Sequence, residues 1–463
     1  MAKVKGIVTS IRELSSSNCI YWIILPGIGR TIRIRSPTRL GLMDAVELEI
    51  IDAEDDKTCD VESIGTVSQS EYVSARDSML SSLGIHKPTI PDIGPAGNAM
   101  ATALIEQIMD AASRIGRNIV SGAPISVHFH SDGDGSTGAI GLSRGFKAVA
   151  HKISSEHKAI KWDAVRGVAY TEESFYSDEM FFKSFLSVER PMAIMTDFGT
   201  TPESNASSGK LAGISDIIWI DHHPIDKGFE RPPAYYINPW DHHGDSSLTA
   251  GFITCMLASS FGENLEEMML VSLLSDHSSL AKADKDKEEI AAVLDAINIH
   301  NPDGLPTTPQ YMESVLSDKT KFSYVLSESR EQMSAAISIG LKKGRTLKSS
   351  KGFLIFVLDF EKIAKMRFNY IKMGKYTSEL HSAIEKGQEP AVTVVYHKRY
   401  ISARASHRVA STSILLDTVR KMSEDKEEVE NGGGHNEAAS MRLVGSDAEQ
   451  VTKKFVSYLG GAF

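Results

Sequence analysis

His130, Asp132 and Asp134 stand on alternate positions in the run HSDGDGSTGAI, directly after the apolar stretch Ile125–Phe129. A strand alternates its side chains with period two, so a strand carried through this run would place all three on one face. Imidazole nitrogen and carboxylate oxygen converging there could hold a divalent cation pair. Gly133 and Gly135 let the backbone turn sharply, and Thr137–Gly138 can open a helix. The same residues also suit a plain capped turn, with Asp132 or Asp134 accepting from the first amides of the following helix. Taken alone, the run supports both readings equally.

Four further features follow, most of them at the carboxyl end of a predicted strand. In open α/β sheets that edge is where sites form. Asp197 lies in IMTDFGT after the apolar strand Ala193–Met195, and Asp221-His222-His223 follows DIIWI. The segment INPWDHHGDSSLTAG comes next, and Asp276 in LLSDHSS ends a helical pattern. Mixed carboxylate and imidazole donors suit Mn²⁺, Mg²⁺ or Zn²⁺. A carboxylate bridging two cations roughly 3.5–4 Å apart is a common arrangement for phosphate-ester hydrolysis.

The elements that must position these residues are legible in outline. Residues 1–67 read as a small β-barrel of the OB or S1 type, from the short strands KVKGIVTSI, CIYWIILPG, RTIRIRS and AVELEIIDA. In RTIRIRS, Arg33 and Arg35 alternate with Ile32 and Ile34. That face suits either nucleic-acid binding, with Tyr21 and Trp22 as a thin aromatic platform, or a solvated surface. GNAMATALIEQIMDAASRIGR reads as one long amphipathic helix. Strands at Ile125–His130, Met192–Thr196 and Ile214–Ile220 then alternate with helices, starting with Ser136–His151. The expected fold class is therefore α/β with a mostly parallel sheet over residues 68–325. Residues 326–350 read as a charged linker, and residues 351–463 as a second, smaller α/β domain.

Composition sets outer bounds. The 463 residues, 41% hydrophobic, can bury large cores in two to four domains. The formal net charge of -10 is no global sign of nucleic-acid binding, although an acidic metal site would itself raise the carboxylate count. Three cysteines, Cys19, Cys59 and Cys255, lack metal-finger spacing and leave one unpaired, which argues for a reducing compartment. The start MAKVKGIVTS has no signal-peptide core, and the longest apolar stretch, Leu248–Ala258, is too short for a bilayer. A cytoplasmic protein without membrane contact is expected.

HSDGDG, TDFG, IDHHP, the later Asp276 and the terminal GGGHNEAAS together resemble the DHH phosphoesterase superfamily with its DHHA1 domain, across roughly residues 125–440. Each piece is common, but five in order are specific. Within the superfamily the chain looks most like archaeal RecJ-like nucleases. The resemblance implies two Mn²⁺ or Mg²⁺ ions, with His130, Asp132 and Asp197 on the first. Asp134, Asp197, His222 and Asp276 would hold the second, with Asp197 bridging and His223 facing the scissile phosphate. It also implies phosphate binding by Ser402, Arg404, Gly432, Gly433, Gly434 and His435. Physically, glycine amides can form an anion nest, and arginine and histidine add charge-assisted bonds. Two departures stand out: the family's last serine has moved one place to Ser406, and Ser440 stands where glycine is common.

Several residues carry more than one reading. The second Asp-His-His, Asp241-His242-His243, follows the turn Asn238-Pro239 and reads as loop structure. His277 is either an orienting partner of Asp276 or a polar helix end, and His128 fills a core gap. Arg408 beside the phosphate run suits bidentate phosphate binding. Lys342, Lys343, Arg345, Lys348 and Lys351 form either a strand track or a solvated linker.

The expected function is a two-metal exonuclease on single-stranded DNA or RNA in replication or repair. Polarity is not readable, since the family resembled includes both, and 3′→5′ is taken as the expectation. Alternatives are a short-oligonucleotide phosphodiesterase and a replisome partner binding GINS.

Overall fold

The computed structural model describes residues 3–15, 18–49, 61–153, 159–225, 228–386, 389–425, 427–434, 436–445 and 447–462. The chain divides into two compact units, Met1–Phe322 and Ser323–Phe463. Cys59 and His435 lie outside the described residues, and Cys19 and Cys255 are free thiols. Among the described residues no helix is long and apolar enough to cross a membrane.

The first unit opens with an antiparallel sheet of barrel-like character. Its order is Arg30–Ser36, Asn18–Leu25, Lys3–Ser15, Asp44–Glu49, Val61–Thr66, with Leu186–Ser187 also pairing on Lys3–Ser15. Val8, Tyr21, Ile23, Leu25, Ile34, Val46 and Leu48 form its core. The aromatic platform expected from the sequence is corrected here. Tyr21 is buried in that core with its hydroxyl on the Thr38 carbonyl at 2.7 Å. Trp22 is buried against Phe185 and Ala159 of the following region. Gly122 ends the helix Ile105–Ser121 at φ +68, and a Cβ there would lie 2.3 Å from the Trp22 ring, so only glycine admits this packing. The two arginines share a strand face, but that face is not uniformly open. Arg33 is buried while Arg35 is exposed.

The second sheet of this unit is wholly parallel, in the order Tyr235–Ile237, Asp216–Ile220, Met192–Thr196, Ile125–His130, Ile160–Val165. Its central strands are apolar on both faces because helices cover both. The chain leaves Ile125–His130 in one direction to reach Ile160–Val165, then crosses back to Met192–Thr196 on the other side. That reversal is a topological switch point, where the carboxyl ends of two neighbouring strands splay and leave a crevice. The expected α/β class with a mostly parallel sheet is observed. The single amphipathic helix expected before it is two, Gly94–Ala103 and Ile105–Ser121, divided at Leu104.

The second unit holds a mixed six-stranded sheet, ordered Arg345–Lys348, Leu354–Asp359, Ala391–His397, Tyr400–Ala405, Ala438–Leu443, Val429–Gly434. Residues 326–350, expected as linker, are instead most of the helix Lys319–Lys343 and the strand Arg345–Lys348. The helix amphipathy is weak, which is why the charged composition read as linker; Ala336 and Ile337 nevertheless pack on Phe356, Leu358 and Tyr376. The GGG run does not form a free loop. It ends the edge strand Val429–Gly434 and pairs in register with Ala438–Leu443.

His381 is buried in this unit, with Nδ1 at 2.9 Å from the Thr393 hydroxyl. Burial, then the nearby Arg404 charge, pulls its imidazole down to about 4. A depressed histidine adds stability above its unfolded pKa and loses it as pH falls toward the folded value. The C-terminal unit should therefore lose about 2 kcal/mol between pH 7 and pH 5 through this group. Urea unfolding at the two pH values should show that loss in the wild type and its disappearance in His381→Gln.

Candidate metal centre

The strand Ile125–His130 ends at the switch point and delivers His130. The helix Gly133–Ile153 starts almost at once, so Asp132 precedes it and Asp134 lies in its first turn. The strand therefore does not continue through Asp134, and convergence comes from the strand-to-helix turn instead of period-two alternation. Asp132 also performs the capping role: its Oδ1 accepts the Gly135 amide at 3.0 Å. The capped turn is therefore observed, and it uses only one of the two carboxylate oxygens. Its other oxygen, Oδ2, lies 2.6 Å from His130 Nδ1.

Asp197 follows the neighbouring strand Met192–Thr196 and is nearly fully buried. It adopts φ +68, a left-handed conformation that aspartate tolerates better than most residues. Its amide is held by the Ile220 carbonyl at 3.0 Å. The two carboxylate oxygens face different partners. Oδ2 lies 3.6 Å from His130 Nδ1, and Oδ1 lies 3.5 Å from His222 Nε2 and 3.9 Å from His223 Nδ1. Two groups of donor atoms are consequently compact enough for one ion each, His130–Asp132–Asp197 and Asp197–His222–His223, and Asp197 belongs to both. Asp276, the cap residue ending the helix Glu266–Ser275, places Oδ2 at 3.7 Å from His222 Nε2.

The resemblance and the distances differ over the second group. By resemblance it includes Asp134 and Asp276 and leaves His223 for substrate, whereas the tightest donor triplet includes His223. The hydrogen bonds explain the tension. His223 Nδ1 is already 2.8 Å from Asp221 Oδ1, which leaves its Nε2 unengaged on a half-exposed side chain. Asp134 is buried, its carboxylate accepting from the Ser272 hydroxyl and, at 3.2 Å, from the Gly251 amide. A Cβ on Gly251 would come within 2.3 Å of the Asp134 carbonyl oxygen, so glycine is what brings that amide in.

The electrostatics show what the cluster lacks. Burial, and then Asp197 beside it, pushes the Asp134 carboxyl well above the ordinary carboxylate range. Burial, with Asp197 again nearby, raises Asp276 against the opposing pull of His222. Burial alone would lower His130 and His222, yet the surrounding carboxylates hold both well above an ordinary imidazole. Like charges crowded in a dry crevice call for positive charge, and oxygen and imidazole donors fit a hard or borderline divalent cation.

Sequence reading missed the residues that hold this cluster. Asp221, despite burial, is drawn down to about 2 by His223, which it orients. It also accepts the amides of His222 and His223 and the Thr200 hydroxyl. His222 Nδ1 is 2.8 Å from the Ser246 carbonyl oxygen, which fixes Nε2 toward the cluster. Asp295 accepts the Gly133 amide at 2.7 Å, and Asn298 donates to the Ser136 hydroxyl at 2.6 Å. These partners come from distant loops and helices, so no local motif marks them. Asp221 was visible as the first letter of its motif, and Ser246 as a hydrogen-bonding residue of the loop that follows.

Other expected residues fall elsewhere. Asp241 pairs with Arg231 at 2.7 Å and His242 with Gln107 at 3.0 Å, so the second Asp-His-His serves its loop. His128 is not a plain space-filler but lies 2.7 Å from Asp178, which also accepts from Tyr170 and Lys161. In the second unit, Ser402, Ser440 and Gly433 form one row across three strands, with Arg404 two positions beyond Ser402 on the same face. Arg404 spans Ser378, Ser402, Ala403 and Gly374 through four bonds of 2.9–3.4 Å. The glycines lie in a ladder on the edge strand of the sheet. Ser406 ties the strands together through the Ala391 amide at 3.0 Å and is buried. Arg408 is exposed and lines a separate cavity of about 630 Å³ with Lys351, Lys421 and Tyr458.

The buried carboxylate of Asp134 should destabilise the protein when no cation is bound, because a raised carboxyl pKa means the ionised form is disfavoured at neutral pH. Asp134→Asn should melt no lower than the wild type in chelator and should gain less in Tm on addition of Mn²⁺. A drop of several degrees in chelator, or an unchanged Mn²⁺ shift, would contradict this.

Comparison with known proteins agrees with the geometry. Residues 124–276 match the DHH family, N-terminal domain. The uncharacterized protein MJ1198 of Methanocaldococcus jannaschii is 24% identical over 414 residues, covering 76% of this chain and 54% of its own length. The chain thus spans about half the length of that relative. A solved DHH domain described as a member of the S1p family of ribosomal proteins superposes with a TM-score of 0.70 at 21% identity, over 86% of this chain and 100% of that one. That likeness is one of fold. RecJ of Thermus thermophilus in complex with Mn²⁺ gives a TM-score of 0.45 at 14% identity, over 82% of this chain and 56% of its own. Residues 124–276, about a third of the chain, thus resemble the DHH family, from the strand that ends in His130 through Asp197 to Asp276.

Proposed function

We propose that the protein is a metal-dependent phosphodiesterase, and specifically a single-strand exonuclease on DNA or RNA in replication or repair, with 3′→5′ polarity. The observation that supports this most directly is Asp197, whose two oxygens each face a different donor group. A bridging carboxylate of this kind suits a cation pair spanning one phosphodiester. In this reading His130, Asp132 and Asp197 hold one ion, and Asp134, Asp197, His222 and Asp276 the other. The bound Mn²⁺ or Mg²⁺ ions would supply Lewis acidity at the phosphorus centre.

The protein's own groups have distinct tasks. Asp221 remains ionised and keeps His223 Nδ1 engaged, so Nε2 is the atom presented outward. Although burial and His222 oppose it, the Asp221 and Asp197 carboxylates raise the His223 imidazole, which favours its protonated form. An imidazolium directed at a phosphate oxygen makes a charge-assisted hydrogen bond as negative charge builds there. In the C-terminal unit, Ser402 and Arg404, with Gly432, Gly433, Gly434 and His435, would bind a second phosphate of the strand. The division into 1–67, 68–325 and 351–463 assigns strand holding to the first and last segments and cleavage to the middle one. Arg35, exposed on the first, and Arg408, on the last, are candidates for backbone contact.

Single-stranded DNA and RNA labelled separately at each end, with Mn²⁺ or Mg²⁺, should release mononucleotides from the 3′ end. Asp197→Ala should reduce release to background with an unchanged circular dichroism spectrum. Asp221→Asn, which removes the charge that orients and protonates His223, should lower activity about 10- to 100-fold. Retained cleavage in Asp197→Ala would overturn the reading.

A further inference from the structure

Trp240 is the exposed tryptophan beside the metal centre. Trp22 and Trp219 are buried and Trp162 is partly covered, whereas Trp240 is 43% exposed. A large apolar ring left in solvent is notable when its surroundings hold it rigidly.

Trp240 is held at three points. Its indole N–H donates to the His222 carbonyl at 3.1 Å and the Ser246 hydroxyl at 3.2 Å. Its backbone amide donates to Asn238 Oδ1 at 3.0 Å, and the same buried Asn238 side chain donates from Nδ2 to the His223 carbonyl at 3.0 Å. The ring is thus referenced to both histidines of the DHH motif. The flanking loop is tied down as well, by Arg231 on Asp241 and Gln107 on His242. Among the described residues no aromatic ring or cation stacks on the indole. The polar edge is fully used while 43% of the residue remains open to solvent. This is the arrangement expected of a stacking platform, since stacking needs a fixed ring and no hydrogen-bond donor of its own.

We propose that Trp240 stacks on a nucleobase next to the phosphodiester held at the metal centre, and so makes the enzyme prefer base-bearing nucleic acid over base-free phosphodiesters. The inference rests on the phosphodiesterase reading above. Stacking tolerates any base, because every base offers a π-face, so Trp240 would confer selectivity for nucleotides without sequence preference.

The test separates stacking from support of His222. Trp240→Phe removes the indole N–H but keeps a ring, and the Ser246 hydroxyl still donates to the His222 carbonyl at 2.7 Å. Trp240→Ala removes both functions. The substrates are an oligothymidylate 8-mer and its abasic counterpart. The ratio of kcat/KM for the two should exceed unity by about ten-fold in the wild type, stay near that value in Trp240→Phe, and collapse toward one in Trp240→Ala. Binding is read independently in the wild type with Ca²⁺ in place of Mn²⁺, where the base-bearing 8-mer should quench tryptophan fluorescence and the abasic one should not. Equal ratios in wild type and Trp240→Ala, or equal damage in Trp240→Phe and Trp240→Ala, would overturn the platform. If no protein cleaves either oligonucleotide, the phosphodiesterase reading fails. Quenching by the base-bearing 8-mer alone would then still support the platform, and its absence would overturn it.

Discussion

Gathering carboxylates in a dry crevice is unfavourable, and the first unit is organised around managing that. Asp134, Asp197 and Asp221 are nearly fully buried, and Asp132 and Asp276 stand at the rim. Asp134 and Asp221 have dedicated partners. Asp134 has the Ser272 hydroxyl and Gly251 amide, while Asp221 has two backbone amides, Thr200 and His223. Asp197 is least provided with donors of this kind and is the carboxylate shared by both ion-sized groups. The imidazoles of His130 and His222 are held toward their charged forms by the same crowding. In a metal-free cluster protons thus perform the neutralisation that divalent cations would perform more completely.

The parallel sheet makes the cluster possible because it brings distant segments to one edge. His130 and Asp197 lie at the ends of adjacent strands that are far apart in sequence, and Asp221 ends the next strand over. The crossover reversal opens the crevice between the first two. The helix that begins at Gly133 then turns Asp134 inward beneath them. Loops from elsewhere supply orientation: Ser246 holds His222, and Asn238 ties His223 to Trp240.

The remaining modules are less committed. The N-terminal sheet uses Tyr21 and Trp22 for packing, so any nucleic-acid contact there depends on exposed polar residues such as Arg35 and not on aromatic stacking. In the C-terminal unit the Ser402–Ser440–Gly433 row and the braced Arg404 make a polar strip on an edge of the sheet. Ser440 sits inside that strip and places a hydroxyl next to Ser402 within an unbroken ladder.

The sequence by itself determined which residue types stand at the strand ends and the class of fold. Carboxylates and imidazoles follow apolar strands in HSDGDG, TDFG and IDHHP, and strand–helix alternation is written in local periodicity. Only the tertiary structure decided which nitrogen of His222 and His223 is free, because that depends on Ser246 and Asp221 partners set by loop packing. It also decided that Asp132 caps a helix and faces His130 at once, that residues 326–350 fold as helix and strand, and that Trp22 is buried while Trp240 is not. Local pattern encodes periodicity and residue type. Burial and hydrogen-bond direction are set by segments distant in sequence, and no short window contains both partners.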